Sequence, residues 1–301
     1  MEDKLIRGLA LNDKVRVFAV TTTNLVEESR RQHNTWPTSI AALGRLMTAN
    51  LMVAANLKEE NEKITMQING DGPIGTILTV ANSKGQVKGF VADPGVYLTY
   101  NDSSKLAVGV GVGRNGFLRV TRDLGRSDAK NSKFTSEVAL VSGEIAEDVA
   151  YYYATSEQTN SLVSLGVLVE PEGSVIASGG LMIQLMPDAV EEDIVKVENA
   201  TKDLKAISTL INEGQDAETL VKNIFPDFRK LEEHPVELHC DCSKDRIKGS
   251  LSTLPIKDLQ EMLAEDHGAE VVCEFCNTKY DISEEELGHI ISFKQSLGAK
   301  I

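Results

Sequence analysis

No apolar run in the 301 residues reaches the ~18 needed to cross a bilayer as a helix. The first residues, MEDKLIRGLALNDK, lack the basic-then-apolar layout of a secretory signal, so a cytoplasmic protein without membrane contact is expected. Basic residues are also in short supply. The formal net charge is -14, and a protein that grips nucleic acid normally presents a basic face, so nucleic acid is not an expected partner. Histidine occurs five times, scattered, and there is no nucleophile elbow; a serine hydrolase is not legible. His33, in RRQHNTWP, is read as a surface or helix-end residue. Internal repeats and low-complexity tracts are absent. Cysteine is scarce too, with four in the whole chain, and all four lie near the C-terminal end.

The chain is 42% hydrophobic and long enough to bury a real core. VRVFAVTT over 15–22 reads as a strand and TNLVEESRRQHN as a helix. Pro37 then opens SIAALGRLMTANLMVAANLK, a helix apolar on every face and therefore expected between two layers. ITMQI, IGTILTVA and QVKGFVA, separated by the turn signals NGDGP and NSKG, read as an antiparallel meander. SGEIAEDVAYYYATSEQ is helical, with Glu144, Glu147 and Asp148 in its first turns, and strand-like SLGVLVE and SGGLMIQLM follow. Gly111, Gly113 and Gly116 in GVGRNG match a dinucleotide-loop spacing, but FLRVTRDLG after them reads as a strand, so a hairpin turn is expected instead. Residues 1–186 thus predict an α+β domain, with helices packed on a largely antiparallel sheet.

Beyond Pro187 the texture changes. Residues 187–235 carry 12 acidic against 6 basic side chains, and 236–301 carry 13 against 7, so the negative charge is concentrated in the last 115 residues. Val190, Ile194, Val197, Leu204 and Ile211 fall at helical spacing in an otherwise polar stretch that ends at Gly214. This predicts an amphipathic helical linker over 187–238. Its stripe either docks permanently on the core or is held marginally and can detach.

The remaining residues, 239–301, hold the cysteines. Cys240 and Cys242 form C-x-C; thirty residues later Cys273 and Cys276 form C-x-x-C. Two short cysteine pairs joined by a folded loop are the usual donors of a structural zinc site, which takes four ligands tetrahedrally. Pro255 suits a first helical turn, Ile256, Leu259, Met262 and Leu263 make an apolar stripe, Gly268 is a plausible helix stop, and Ser283 with Glu286 is a capping-box signature. So small a domain has a meagre core and needs a staple. His239 and His267 are read as surface or outer-shell residues, because four cysteines already complete the tetrahedron. A closed site leaves no position for a catalytic water, which argues against a zinc enzyme.

Three readings of the cysteines compete: a permanent clip in a zinc ribbon, of the kind that binds nucleic acid; a thiol oxidoreductase using the C-x-x-C pair; and an oxidant sensor in which each pair closes on itself and releases the metal. The cramped C-x-C bridge is the harder to close, so Cys273 and Cys276 are expected to oxidise first.

The sequence resembles the thirty-three-kilodalton heat-shock proteins, a family of redox-regulated bacterial holdase chaperones. The likeness rests on the cysteine spacing and on RGLALNDKVRVFAVTTTNLVEESRRQHNTWPTSIAALGR, VSGEIAEDVAYYYATSEQ and GGLMIQLMP, and it spans nearly the whole chain. It implies one Zn²⁺ on Cys240, Cys242, Cys273 and Cys276 in a reduced, inactive state. It implies disulfides Cys240 with Cys242 and Cys273 with Cys276 on oxidation, with zinc loss and unfolding of the zinc domain and linker. The uncovered apolar surface would then hold unfolding client proteins without ATP, with a homodimer expected on activation.

Overall fold

A computed structural model describes residues 2–100, 104–126 and 132–298, and divides the chain into two units, Met1–His239 and Cys240–Ile301. In chain order the first unit runs β1 (Lys4–Ala10), β2 (Val15–Thr21), α1 (Thr23–His33), α2 (Pro37–Ala54), β3 (Lys63–Asn69), β4 (Thr76–Asn82) and β5 (Gln86–Val91). It continues through α3 (Val108–Val112), β6 (Phe117–Asp123), β7 (Lys133–Ala139), α4 (Ala146–Thr155), β8 (Ser161–Val169) and β9 (Val175–Leu185). It closes with α5 (Glu191–Thr201), α6 (Ile207–Asn212), α7 (Ala217–Ile224), β10 (Arg229–Pro235) and β11 (Glu237–Leu238).

The strands form two sheets where the sequence predicts one. The first has the order β10-β1-β2-β9-β8 and is antiparallel throughout; the second has the order β11-β5-β4-β3-β6-β7, antiparallel except for the β11–β5 pair. Between them lies α2, as its all-round apolar pattern requires. Proline occupies its first turn, where a missing N–H costs nothing, and every residue but Pro37 and Arg45 is buried. Its polar side chains tie it to both layers. The Thr48 hydroxyl is 2.9 Å from that of Thr22, which is 2.8 Å from the Ser178 hydroxyl of β9. On the opposite face the Asn50 side-chain amide donates to the Ile64 carbonyl at 3.2 Å and to the Thr79 hydroxyl at 2.9 Å, in β3 and β4. The hydroxyls and the amide nitrogen can be buried because each finds a partner.

Strand alternation gives the first sheet two apolar faces. Leu5, Phe18, Val20 and Met182 face α2 in the core between the sheets. Ile6, Ala10, Val15, Val17, Ala19, Ala177, Leu181 and Ile183 face the other way and are covered by Val197, Ile207, Leu210, Ile211, Leu220, Val221, Phe225 and Phe228. The covering therefore comes from the segment after Pro187, but it differs from the predicted stripe. Val197 and Ile211 are buried in it and Leu204 packs at its margin, whereas Val190 is 57% exposed and Ile194 is half-buried outside it. Gly214, at φ +93, breaks the helix, and the apolar spacing resumes in α7. The segment is not helical throughout either: β10, almost wholly exposed, pairs with β1 from Lys4↔Pro235 to Leu9↔Arg229.

Two local readings also change. GVGRNG is no hairpin turn. Gly111 sits in α3, and Gly113 turns the chain at φ +84 against the backbone of Asp71 and Gly72 before β6 begins. No helix follows, so no dinucleotide loop exists here. His33 ends α1, as expected.

The second unit runs α8 (Lys244–Leu251), α9 (Ile256–Asp266), β12 (Gly268–Val272), β13 (Lys279–Ser283) and α10 (Glu284–Gly298), with β12 and β13 antiparallel. Its core is Leu251, Leu259, Ile282, Leu287 and Ile291, with smaller contributions at the margin. The left-handed residue that ends α9 is His267, at φ +54, and Gly268 already belongs to β12. The capping box forms: the Ser283 N–H donates to Glu286 Oε2 at 3.0 Å and the Glu286 N–H donates to Ser283 Oγ at 3.3 Å.

Leu46, fully buried in α2, tests the load on the central helix. Leu46→Ala is expected to destabilise the first unit by about 2–5 kcal/mol, measured as a lower urea midpoint with unchanged slope.

Candidate metal centre

Cys240 and Cys242 precede α8, whose N-terminus is capped by Ser243: its hydroxyl accepts the Arg246 N–H at 3.3 Å. That cap fixes the chain direction just after the first cysteine pair. Cys273 and Cys276 lie in the turn joining β12 to β13. The Cys273 carbonyl accepts N–H groups from Cys276 at 3.2 Å and Asn277 at 2.7 Å, and the Cys273 N–H donates to the Thr278 carbonyl at 3.0 Å. Asn277 adopts φ +54, a left-handed conformation that asparagine tolerates better than most residues. The two-stranded sheet thus presents both thiols of the turn on one side.

All four cysteines stand outside any disulfide and are half-buried, and their four sulfurs lie within 4.8 Å of one another. Cys240 and Cys273 are 3.8 Å apart at sulfur, Cys242 and Cys276 3.3 Å. Tetrahedral zinc with bonds of ~2.3 Å would place its sulfurs roughly 3.8 Å apart, so the spacing fits one metal ion. His239 and His267 stand outside the cluster, both exposed, as expected.

The surroundings pull the two thiols of the turn in opposite directions. Burial pushes the Cys273 thiol up. Burial acts in the same direction on Cys276, but hydrogen bonds from Thr278 and the neighbouring thiols outweigh it and bring Cys276 down to about 7. The Tyr280 hydroxyl shares a hydrogen bond with Cys242 Sγ at 3.1 Å and is held up at about 12 chiefly by that bond. Arg246 pairs with Asp241 at 2.5 Å and donates to the Asp241 carbonyl at 2.8 Å. The pairing with Asp241, reinforced by the charges of Cys240 and Cys242, raises its pKa further. Reading the sequence by cysteine spacing alone missed Thr278, Tyr280 and Arg246. Their signal was proximity in sequence, since all three fall within four residues of a cysteine of the cluster in CSKDR and CNTKY.

Comparison with known proteins now bears on the whole chain. The family described as Hsp33 protein matches residues 3–283. The chain belongs to the Hsp33 family.

Among its relatives, the 33 kDa chaperonin of Bacillus velezensis is 45% identical over 95% of this chain and 97% of its own length. That of Bacillus subtilis is 44% identical over 95% and 97%. The crystal structure of the 33 kDa chaperonin from Thermotoga maritima superimposes with a TM-score of 0.88 at 36% identity, covering 98% of this chain and all of that one. Membership of the Hsp33 family accounts for the chaperone character and agrees with the four-cysteine cluster as a metal site. The described helices include none long and apolar enough to cross a membrane.

Two outcomes follow from the site. Metal binding requires deprotonated ligands, so affinity falls as the pH drops through the region of Cys276, about 7, and below; a competition titration with a chromophoric chelator from pH 8 to 6 reads this as a rising free-metal fraction. Tyr280→Phe removes one donor from Cys242 and is expected to speed metal transfer to the chelator several-fold, with the far-UV circular dichroism of the loaded protein unchanged.

Proposed function

We propose that this Hsp33-family chain is a redox-regulated, ATP-independent holdase that captures unfolding proteins under oxidative and heat stress. The observation that carries this reading is the clustering of four unbridged thiols in a unit whose core is five buried side chains. A core of that size contributes little, whereas a structural zinc site contributes roughly 10–16 kcal/mol of apparent binding energy at neutral pH. Stability of the unit is therefore tied to the chemical state of its sulfurs.

In this reading the cytoplasmic, reduced protein holds one Zn²⁺ on Cys240, Cys242, Cys273 and Cys276. The metal supplies the positive charge that lets four thiolates share one small volume, and it is not a catalyst. Arg246 adds a positive charge beside Cys240 and Cys242, and Tyr280 and Thr278 hold individual sulfurs. Peroxide, aided by heat, or hypochlorous acid takes two electrons from each pair. Each pair of thiolates would close as a disulfide, Cys240 with Cys242 and Cys273 with Cys276, the oxidant leaving as water or, from hypochlorous acid, chloride, and the metal ion would be released because its ligands no longer carry charge. The unit then lacks its staple and unfolds.

Residues 1–186 act as the chaperone core, 187–238 as the linker and 239–301 as the redox-sensing zinc domain. Backbone bonds just before Cys240 tie the end of the linker to the core. The Glu237 N–H donates to the Gly85 carbonyl at 3.0 Å and the His239 N–H to the Val87 carbonyl at 2.9 Å. Fraying that begins at Cys240 meets these first. Loss of the linker would bare the face of the first sheet that Ile211, Leu220 and Phe225 cover, an apolar surface suited to unfolded clients. Activated chains would pair as homodimers. Nothing in this mechanism requires turnover, so the protein is a chaperone and not an enzyme.

Light scattering from a heat-unfolded client tests the reading: peroxide-treated protein at elevated temperature is expected to suppress aggregation, and the reduced, zinc-loaded protein is not. Equal behaviour of the two forms would leave the cysteines as a permanent clip. Mass mapping after brief oxidation is expected to find the Cys273–Cys276 bridge first. Phe225→Ala, which opens the linker's contact with the sheet, is expected to raise hydrogen exchange across 207–225 and to lower the oxidant dose needed for activity; unchanged exchange would place the switch elsewhere.

A further inference from the structure

Strand alternation places charges where the first unit's core should continue. On β1, the face that carries Leu5 into the core next carries Arg7; on β2, the face of Val20 and Phe18 also carries Arg16; on β6, the face of Leu118 and Val120 carries Arg122. Three guanidinium groups, from both sheets, thus lie on inward faces at one end of the interlayer space. That end is not filled. A cleft of about 1350 Å³ opens there, with aliphatic walls that include Val53, Ile64, Val120, Leu185 and Ile194, and with Phe134, 58% exposed, among its lining residues.

The lining holds four cations, Arg7, Arg16, Lys58 and Arg122, against two carboxylates, Glu157 and Glu232. Both carboxylates are engaged: Tyr152 donates to Glu157 at 2.5 Å, and Arg7 pairs with Glu232 at 2.5 Å. Arg122 pairs with Glu62 at 3.0 Å. Arg16 differs. Half-buried, it reaches Asn56 Oδ1 at 3.5 Å and makes no ion pair among the described residues. A half-buried guanidinium with no carboxylate partner, facing a cleft of mixed polar and apolar lining in a chain of net charge -14, is placed to take up an anion from outside.

We propose that this cleft binds a monocarboxylate with an aliphatic body, its carboxylate forked on Arg16 and its chain along Val53, Ile64, Val120 and Leu185. The aliphatic stretch of wall gives a hydrocarbon chain a surface to lie along, beside polar and aromatic lining from Asn56, Tyr152, Tyr153 and Gln184, and one guanidinium without an ion pair matches one carboxylate and not a polyphosphate. Met186, Ile194, Leu231 and Glu232 also line the cleft, so the ligand would touch both the core and the 187–238 segment. A bound ligand stabilises whichever state contains its site.

The test is calorimetric titration of the reduced full-length protein with octanoate, and with octanol as the neutral isostere. Octanoate is expected to bind once per chain, at least tenfold tighter than octanol, and to raise the temperature at which the first unit melts. Arg16→Gln is expected to weaken octanoate tenfold or more and octanol little, with Arg16→Lys retaining part of the affinity. Phe134→Asp, an exposed position whose replacement leaves the core intact, is expected to weaken octanoate by charge repulsion. Absent binding, equal affinity for the two probes, or indifference to both Arg16→Gln and Phe134→Asp would overturn the assignment, whatever the chaperone assay returns.

Discussion

Four ionised thiols cannot occupy a space a few ångströms across unless a cation accepts their charge. Two unit charges 4 Å apart repel by about 4 kcal/mol at an effective dielectric constant of 20, and four sulfurs make six such pairs. Protonation, metal binding and disulfide formation are the three chemical escapes, and each leaves the polypeptide in a different condition. Only a divalent metal would both offset half of that charge and tie the segment before α8 to the turn between β12 and β13. The rest of the small unit is scaled to that arrangement. Its helices and hairpin position the thiols around a core of five buried side chains with smaller contributions at the margin. Glu286 illustrates the economy of the scaffold. Paired with Lys244 and Lys248 and accepting the Ser283 N–H, its carboxyl is held down at about 2, so that support is present above about 4.5 and fades as the pH falls toward about 2.

The first unit follows the opposite design. Its central helix is gripped by two sheets, with hydroxyl and amide bonds to both, and needs no external stabiliser. What is conditional there is the outer covering of the first sheet. α6 and α7 are short, six and eight residues, and an isolated helix of that length is unstable in water. They persist because the sheet offers them an apolar face. Order in the covering is thus borrowed from the surface it hides.

The sequence was most legible where one physical signal dominated. The all-round apolar run after Pro37 could only be an interlayer helix, Ser283 and Glu286 announced a helix start, and the cysteine pairs marked a metal-binding cluster. Legibility failed where tertiary pairing overrode local pattern. RKLEEHP in β10 shows no alternation, being exposed on both faces, and is a strand only because β1 offers it an edge. KLIRGLA in β1 is interrupted by an inward arginine and a glycine, which blurs its period. The covering stripe was read up to Gly214 and lost there, because a break in the helix shifts the phase of the spacing although the same face continues to be used. The polar partners of the thiols were invisible for another reason: Tyr280 and Arg246 matter through where the turn and the cap aim them, which spacing alone does not encode.

The charged strand β10 has one more consequence. It is the terminal strand of its sheet, and its lysine, arginine and glutamates discourage a further strand from adding beyond it. Departure of the segment would carry this guard away. β1 would then become the border, with the backbone donors and acceptors that had paired from Lys4 to Leu9 left open beside Leu5 and Ile6. An unfolded chain arriving there would meet hydrogen-bonding groups already in register as well as an oily surface, and could be held as an added strand regardless of its sequence.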